Sequence, residues 1–170
     1  IKYAKEKGFK IKLVPYVGKT STDTITSFVL PRFISQEKYL YNVDNEYNGV
    51  ITEAAFADRQ FFCGKGAGGH ATGSAVLSDI SASSYGYRYE YKKYQQGTVS
   101  EYSHDFKLEI YLRYKNEGDK ELFEFEDISE SFTSKENKYV TGIVNLAALY
   151  KIREQLKSLD VFIVNTGRKF

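Results

Sequence analysis

The sequence predicts an α+β fold: a largely antiparallel sheet with one packed helix, followed by a smaller α+β module. Short segments that alternate apolar and polar residues recur on both sides of a glycine-rich stretch, as half-buried strands do. Two other segments carry apolar residues at helical spacing. No repeated strand–helix–strand unit is present to build a parallel sheet. With 42% hydrophobic residues, 15 Tyr and 12 Phe in 170, the chain can bury a core.

The elements follow in order. Residues Ile1 to Lys7 have the pattern of a helix end, closed by Gly8 as a left-handed cap. A helix without its own start suggests a piece of a longer protein. Phe9 to Val17 alternates and reads as a strand, with Pro15 expected at an edge or bulge. Thr20 to Asp23 turns the chain into a second strand, Thr24 to Pro31. Residues 34–47 suit a loop with a short helical turn. Asn48 to Phe56 and Gln60 to Cys63 make a further strand pair, which runs into the glycines. From Ala67 to Ser84, Ala71, Ala75, Val76, Ile80 and Ala82 fit a closely packed helix.

After an aromatic and charged connector, residues 85–104, a separate unit is expected over 105–170. Phe106, Leu108, Ile110 and Leu112 mark one strand, Leu122 to Ile128 a second, and Lys138 to Val144 a third. Leu146, Leu149, Ile152, Leu156 and Leu159 form a helical stripe, and Val161 to Val164 a short buried strand.

Composition narrows the function. A net charge of +2, evenly spread, gives no nucleic-acid or membrane surface. The single cysteine excludes an intrachain disulfide, and no Cys/His cluster has zinc-ligand spacing. No apolar run approaches the roughly 18 residues that span a bilayer. A soluble cytoplasmic protein with no metal is the expectation.

The stretch Gly64-Lys65-Gly66-Ala67-Gly68-Gly69 spells G-x-G-x-x-G, the letter pattern of a dinucleotide pyrophosphate site. A strand precedes it, a helix follows, and Glu90 stands about 20 residues on, where an acid would meet the ribose. The preceding strand, however, reads as the second arm of a hairpin, and Glu90 sits in a Tyr/Lys ladder rather than a buried strand. No Lys-Ser/Thr pair ends the run, so a P-loop also fails. A tight strand-to-helix turn remains, whose free first-turn amides can face an anion or polar ligand.

Phe62-Cys63-Gly64-Lys65-Gly66-Ala67-Gly68-Gly69, Thr72, Ser74-Ala75-Val76 and Ser78-Asp79 together resemble the end of the catalytic domain of homoserine dehydrogenases. The resemblance extends over residues 1–84, through the helix–Gly–strand entry at 1–13, Val29-Leu30-Pro31 and Asn48-Gly49-Val50. Departures are Cys63 for a common tyrosine, Ala71 for proline and Gly73 for alanine. The resemblance implies interconversion of aspartate semialdehyde and homoserine with NAD or NADP, in threonine and methionine biosynthesis. It also implies that the chain is the C-terminal portion, the cofactor being held mainly by a dinucleotide-binding domain N-terminal to it. No catalytic residue is then expected here; Gly66, Ala67, Gly68 and Thr72 would lie near the cofactor.

Residues 105–170 stand where many family members carry an ACT-type regulatory domain. Strand, strand, strand, helix, strand is similar to that ferredoxin-like module without its first helix, residues 116–121 being too short to form one. Threonine or another amino-acid effector is the ligand such a module implies, with Asn116-Glu117-Gly118-Asp119 as effector loop or plain turn. The division expected is therefore 1–84 catalytic and dimerisation part, 85–104 connector and 105–170 ACT-like module, in a homodimer. The alternative is a non-enzymatic amino-acid-binding or subunit-pairing module.

His70 and His104 read as surface or capping residues and Cys63 as a small buried hydrophobe. Glu124, Glu126, Asp127 and Glu130 read as a solvated strand face. The Tyr85 to Tyr94 ladder suits packing or a subunit contact better than base stacking.

Overall fold

A computed structural model describes residues 1–88 and 99–168. In chain order the elements are α1 (Lys2–Glu6), β1 (Lys10–Lys19), β2 (Thr24–Ile34), a 3-10 turn (Tyr39–Asn42), β3 (Tyr47–Glu53), β4 (Arg59–Lys65) and α2 (Gly69–Ser84). There follow β5 (Glu101–Tyr102), β6 (Lys107–Tyr114), α3 (Glu117–Glu121), β7 (Phe125–Thr133), β8 (Lys138–Asn145), α4 (Leu146–Lys151), α5 (Arg153–Leu156) and β9 (Phe162–Asn165). The fold is α+β, as expected. The middle of the connector, residues 89–98 with Glu90 and most of the tyrosine ladder, lies outside the described residues.

Two compact units result: Ile1–Ile34 with Thr98–Phe170, and Ser35–Gly97. These boundaries differ from those expected at 84 and 105. The β1–β2 hairpin joins the sheet of the C-terminal strands, in the order β1-β2-β9-β6-β8-β7 with β5 beside β2. Alternation identifies strands one at a time and is silent on pairing between strands far apart in sequence, which is why the hairpin was assigned elsewhere. Pro15 lies on β1, the outer strand, where its missing N–H costs no ladder bond.

Within the first unit, β6-α3-β7-β8-α4-α5-β9 is laid out with strands in the order β9-β6-β8-β7, the split β-α-β-β-α-β arrangement. A first helix does form, in place of the turn expected at 116–121. Asn116 has extended cap geometry, and Glu117 and Asp119 put negative charge in the first turn, where the helix dipole favours it. Lys138 on β8 pairs with Glu117 at 2.9 Å. The second helix breaks at Ile152 (φ −93°, ψ 3°) into α4 and α5. Asn145 caps α4, its side chain accepting from the Ala147 amide at 2.9 Å.

β6 is buried on both faces. Leu108, Ile110, Leu112 and Tyr114 pack with Val140, Val144, Phe123, Leu146 and Leu149 beneath the helices. On the opposite face Tyr111 and Val164 meet Phe33 and Ala4, so α1 covers what the other helices leave bare. Gly8 closes α1 at φ +70° as anticipated.

Tyr3 and Tyr139 flank Tyr111 on this face, and both hydroxyls donate to Glu130, at 3.3 and 2.8 Å. Burial, then the Glu130 hydrogen bond and charge, push the Tyr139 phenol up to about 12 from 10.0. Tyr3 is raised by the same causes, burial first. The folded state therefore holds these protons more tightly than the unfolded chain, and their contribution, complete below pH 10.0, is lost as pH climbs towards 12. Tyrosinate absorbance should show Tyr3 and Tyr139 among the late-titrating phenols, and Glu130→Gln should bring them down only in part, since burial, the largest cause, remains.

In the second unit β3 and β4 form an antiparallel hairpin, Tyr47 opposite Lys65 through Glu53 opposite Arg59. Tyr39 from the 3-10 turn stacks on Phe61 at 5.2 Å. Helix α2 forms where its periodicity placed it but is not closely packed: Val76, Leu77 and Ile80 are more than half exposed. Period 3.6 specifies an apolar face without specifying what covers it.

Candidate functional site

The glycine turn occupies the junction between β4 and α2. β4 ends at Lys65, Gly66 to Gly68 turn the chain, and α2 begins at Gly69. The Gly66 amide donates to the Glu46 carbonyl at 2.8 Å, which pins the turn to the residue before β3. Lys65 pairs with the Glu46 carboxylate at 3.1 Å and lies over the Tyr47 ring. Backbone hydrogen bonding first, and Lys65 second, hold the Glu46 carboxyl below the usual carboxylate range.

Gly66 lies against the side chain of Asn48, which would have to swing aside for any larger residue. A Cβ there would stand 1.8 Å from the Asn48 amide nitrogen, so the Asn48 side chain lies directly against the turn. Gly68 then carries the chain through φ +108° into the helix and supplies no capping side chain. The first i to i−4 bond runs from the Thr72 amide to the Gly68 carbonyl at 3.0 Å. The amides of Gly69, His70 and Ala71 are left without helical acceptors, at the positive end of a 16-residue helix.

Gly66, Ala67, Gly68 and Thr72 thus come together on one exposed turn. Chemically this turn offers backbone donors and partial positive charge to a polar or anionic group. Gly66, Ala67 and Gly68 themselves bring no acid, base or nucleophile. The strand feeding it belongs to an antiparallel hairpin, so the parallel setting that gives G-x-G-x-x-G its pyrophosphate cradle is missing from the described residues.

Cys63 is exposed rather than buried, on the two-stranded β3–β4 hairpin. His70 is exposed in the first turn of α2. His104 lies in the other unit, against the rings of Tyr102 and Tyr150 at 4.8 and 4.0 Å. Glu126 is exposed and pairs with Lys107, as a strand-face acid does, whereas Glu130 is half-buried beneath its two tyrosines.

One polar residue escaped sequence reasoning. Glu109, 8% exposed, is buried on β6 and bonded to Ser129, Thr166 and Arg168. Its place in the run Lys107 to Arg113 is that of an ordinary outward-facing strand position. Only the return of the C-terminal residues over that face buries it.

Residues 1–81 match the family model described as homoserine dehydrogenase. The homoserine dehydrogenase of Neisseria gonorrhoeae is 40% identical over 80 residues, 47% of this chain and 18% of that protein. That of Helicobacter pylori is 38% identical over 80 residues, covering 47% and 19%. Among solved structures, a homoserine dehydrogenase from Thiobacillus denitrificans aligns with a TM-score of 0.64 at 20% identity, over 98% of this chain and 44% of that one. The S. aureus enzyme at pH 6.5 gives 0.58 at 21%, over 100% and 44%. At these identities the structural likeness concerns the fold. The chain spans less than half the length of these solved relatives.

Proposed function

We propose, from the match of residues 1–81 to the homoserine dehydrogenase family model, that the chain serves as the C-terminal portion of such an enzyme, the NAD- or NADP-dependent oxidoreductase that interconverts aspartate semialdehyde and homoserine. The observation that carries this reading is the glycine turn, which lies inside the matched segment and presents uncapped amides. Bound NAD or NADP supplies the hydride acceptor. Gly66, Ala67, Gly68 and Thr72 would border it, Gly66 and Gly68 leaving room for close approach and the α2 amides offering donors to its polar groups. The dinucleotide domain and the proton-donating lysine belong, in this reading, to the part of the relatives that this chain does not span.

The 170-residue chain by itself is then expected to give no nicotinamide-dependent homoserine oxidation above background, and weak cofactor binding at most. Robust turnover, or tight binding by fluorescence titration, would place a complete active site in these residues and overturn the assignment. The outer strands β1 and β7 leave sheet edges that commonly pair across subunits, and a cytoplasmic homodimer is the assembly we expect. Light scattering on the purified chain tests it.

The strand order β9-β6-β8-β7 favours a second reading, in which residues 105–170 act as an ACT-like module that binds an amino acid or pairs subunits without catalysis. Calorimetric titration with threonine, lysine and methionine separates the two. Saturable heat with a rise in melting temperature supports effector binding, and its absence leaves the module a structural one.

A further inference from the structure

We propose that Asn165–Arg168 form a clasp that fastens the β1–β2 hairpin to the four strands β6 to β9, with Glu109 as its anchor. Beyond β9 the chain does not leave the sheet. The Thr166 amide donates to the Glu109 carbonyl at 3.0 Å, and the Thr166 hydroxyl donates to the Glu109 carboxylate at 2.7 Å. Arg168 closes on the other carboxylate oxygen at 3.0 Å. The Gly167 amide donates to the Asn165 side chain at 2.7 Å, and the Gly167 carbonyl accepts from Arg32 of β2 at 3.3 Å. One short segment therefore holds β6 on one side and β2 on the other.

The ladder alone is thin at this point. β2 and β9 are in register at a single pair, Arg32 and Asn165, whereas β1 and β2 pair along their whole length. β5 secures the opposite end of β2, at Thr24 and Ile25. The clasp is the polar fastener at the Arg32 end.

Glu109 makes its opening cooperative. A carboxylate this buried is tolerated only while its oxygens are bonded. Ser129 reaches it from β7 at 3.3 Å, through a bulge between Ile128 and Glu130, but the charge is balanced by Arg168 from the tail. Release of the tail must therefore let water reach Glu109. The segment is either docked with all its bonds or free with none, and the Arg32 end of the hairpin follows it.

Residue-resolved hydrogen exchange on the intact chain tests this. Glu109→Gln keeps the volume and removes the charge. Amide protection should fall at least about tenfold within 31–35, together with 165–168, while 139–144 in β8 keep theirs. Arg168→Ala, at an arm 58% exposed, should give a smaller loss over the same segments and decides the matter should the first variant fail to fold. Unchanged protection over 31–35 in both variants overturns the clasp, as does a uniform loss that includes β8. The outcome is independent of the dehydrogenase reading, which the activity assay tests separately.

Discussion

Leu112→Ala should lower the free energy of unfolding by about 3 kcal/mol, as large-to-small changes do in cores that cannot collapse around the gap. Leu112 has no solvent exposure, on a strand flanked by β8 and β9 and covered by the C-terminal helices. Its cross-strand neighbours Val140 and Ile163 are fixed by their own ladders, so little backbone is free to move inward. Urea unfolding followed by far-ultraviolet circular dichroism measures the change. A loss below about 0.5 kcal/mol, within the range of surface substitutions, would mean that β6 is not the centre of the core.

Gly142→Ala should be of comparable size for the opposite reason. A Cβ at Gly142 would stand 2.3 Å from the Asp127 carbonyl oxygen and 2.8 Å from the Phe125 ring. The first neighbour is backbone in the bulged region of β7 and cannot rotate away, so β7 must move off β8. Overpacking of this kind costs about 1–3 kcal/mol. The same urea titration should show it, with the Ser129 to Glu109 hydrogen bond weakened as β7 shifts. Wild-type stability in the alanine variant would show that the bulge tolerates displacement.

These two positions mark what the sequence makes legible. Leu112 sits in a run whose period of two declares a strand, whereas β9 shows itself as a short continuous apolar run and the two-residue β5 leaves no pattern at all. Gly142 is equally visible as a letter, but its necessity comes from a bulge on a different strand, which no local pattern records. The same distinction governs the site. The glycine turn was legible because it is contiguous: strand end, turn and helix start lie within nine residues, Gly64 to Thr72. Glu109 was not, because its partners come from β7 and from the tail beyond β9. Cys63 and the apolar face of α2 were misjudged as buried for a related reason. Alternation and helical spacing say which side chains share a face, whereas burial depends on a second layer that the pattern does not specify.

The place of β9 sets an order on the making of this protein. Arg32 and Gly167, 135 positions apart, touch across a sheet in which β9, made later, lies between the β1–β2 hairpin and the strand β6. The emerging hairpin can pair with itself but must wait, with one flank unpaired, until β9 has left the ribosome. Such distant pairing is slow and leaves an open edge while it lasts. A chain ended before Phe162 loses the strip that joins the two parts of the sheet, and premature termination near the C-terminus should yield two half-sheets prone to aggregate rather than a shortened but intact domain.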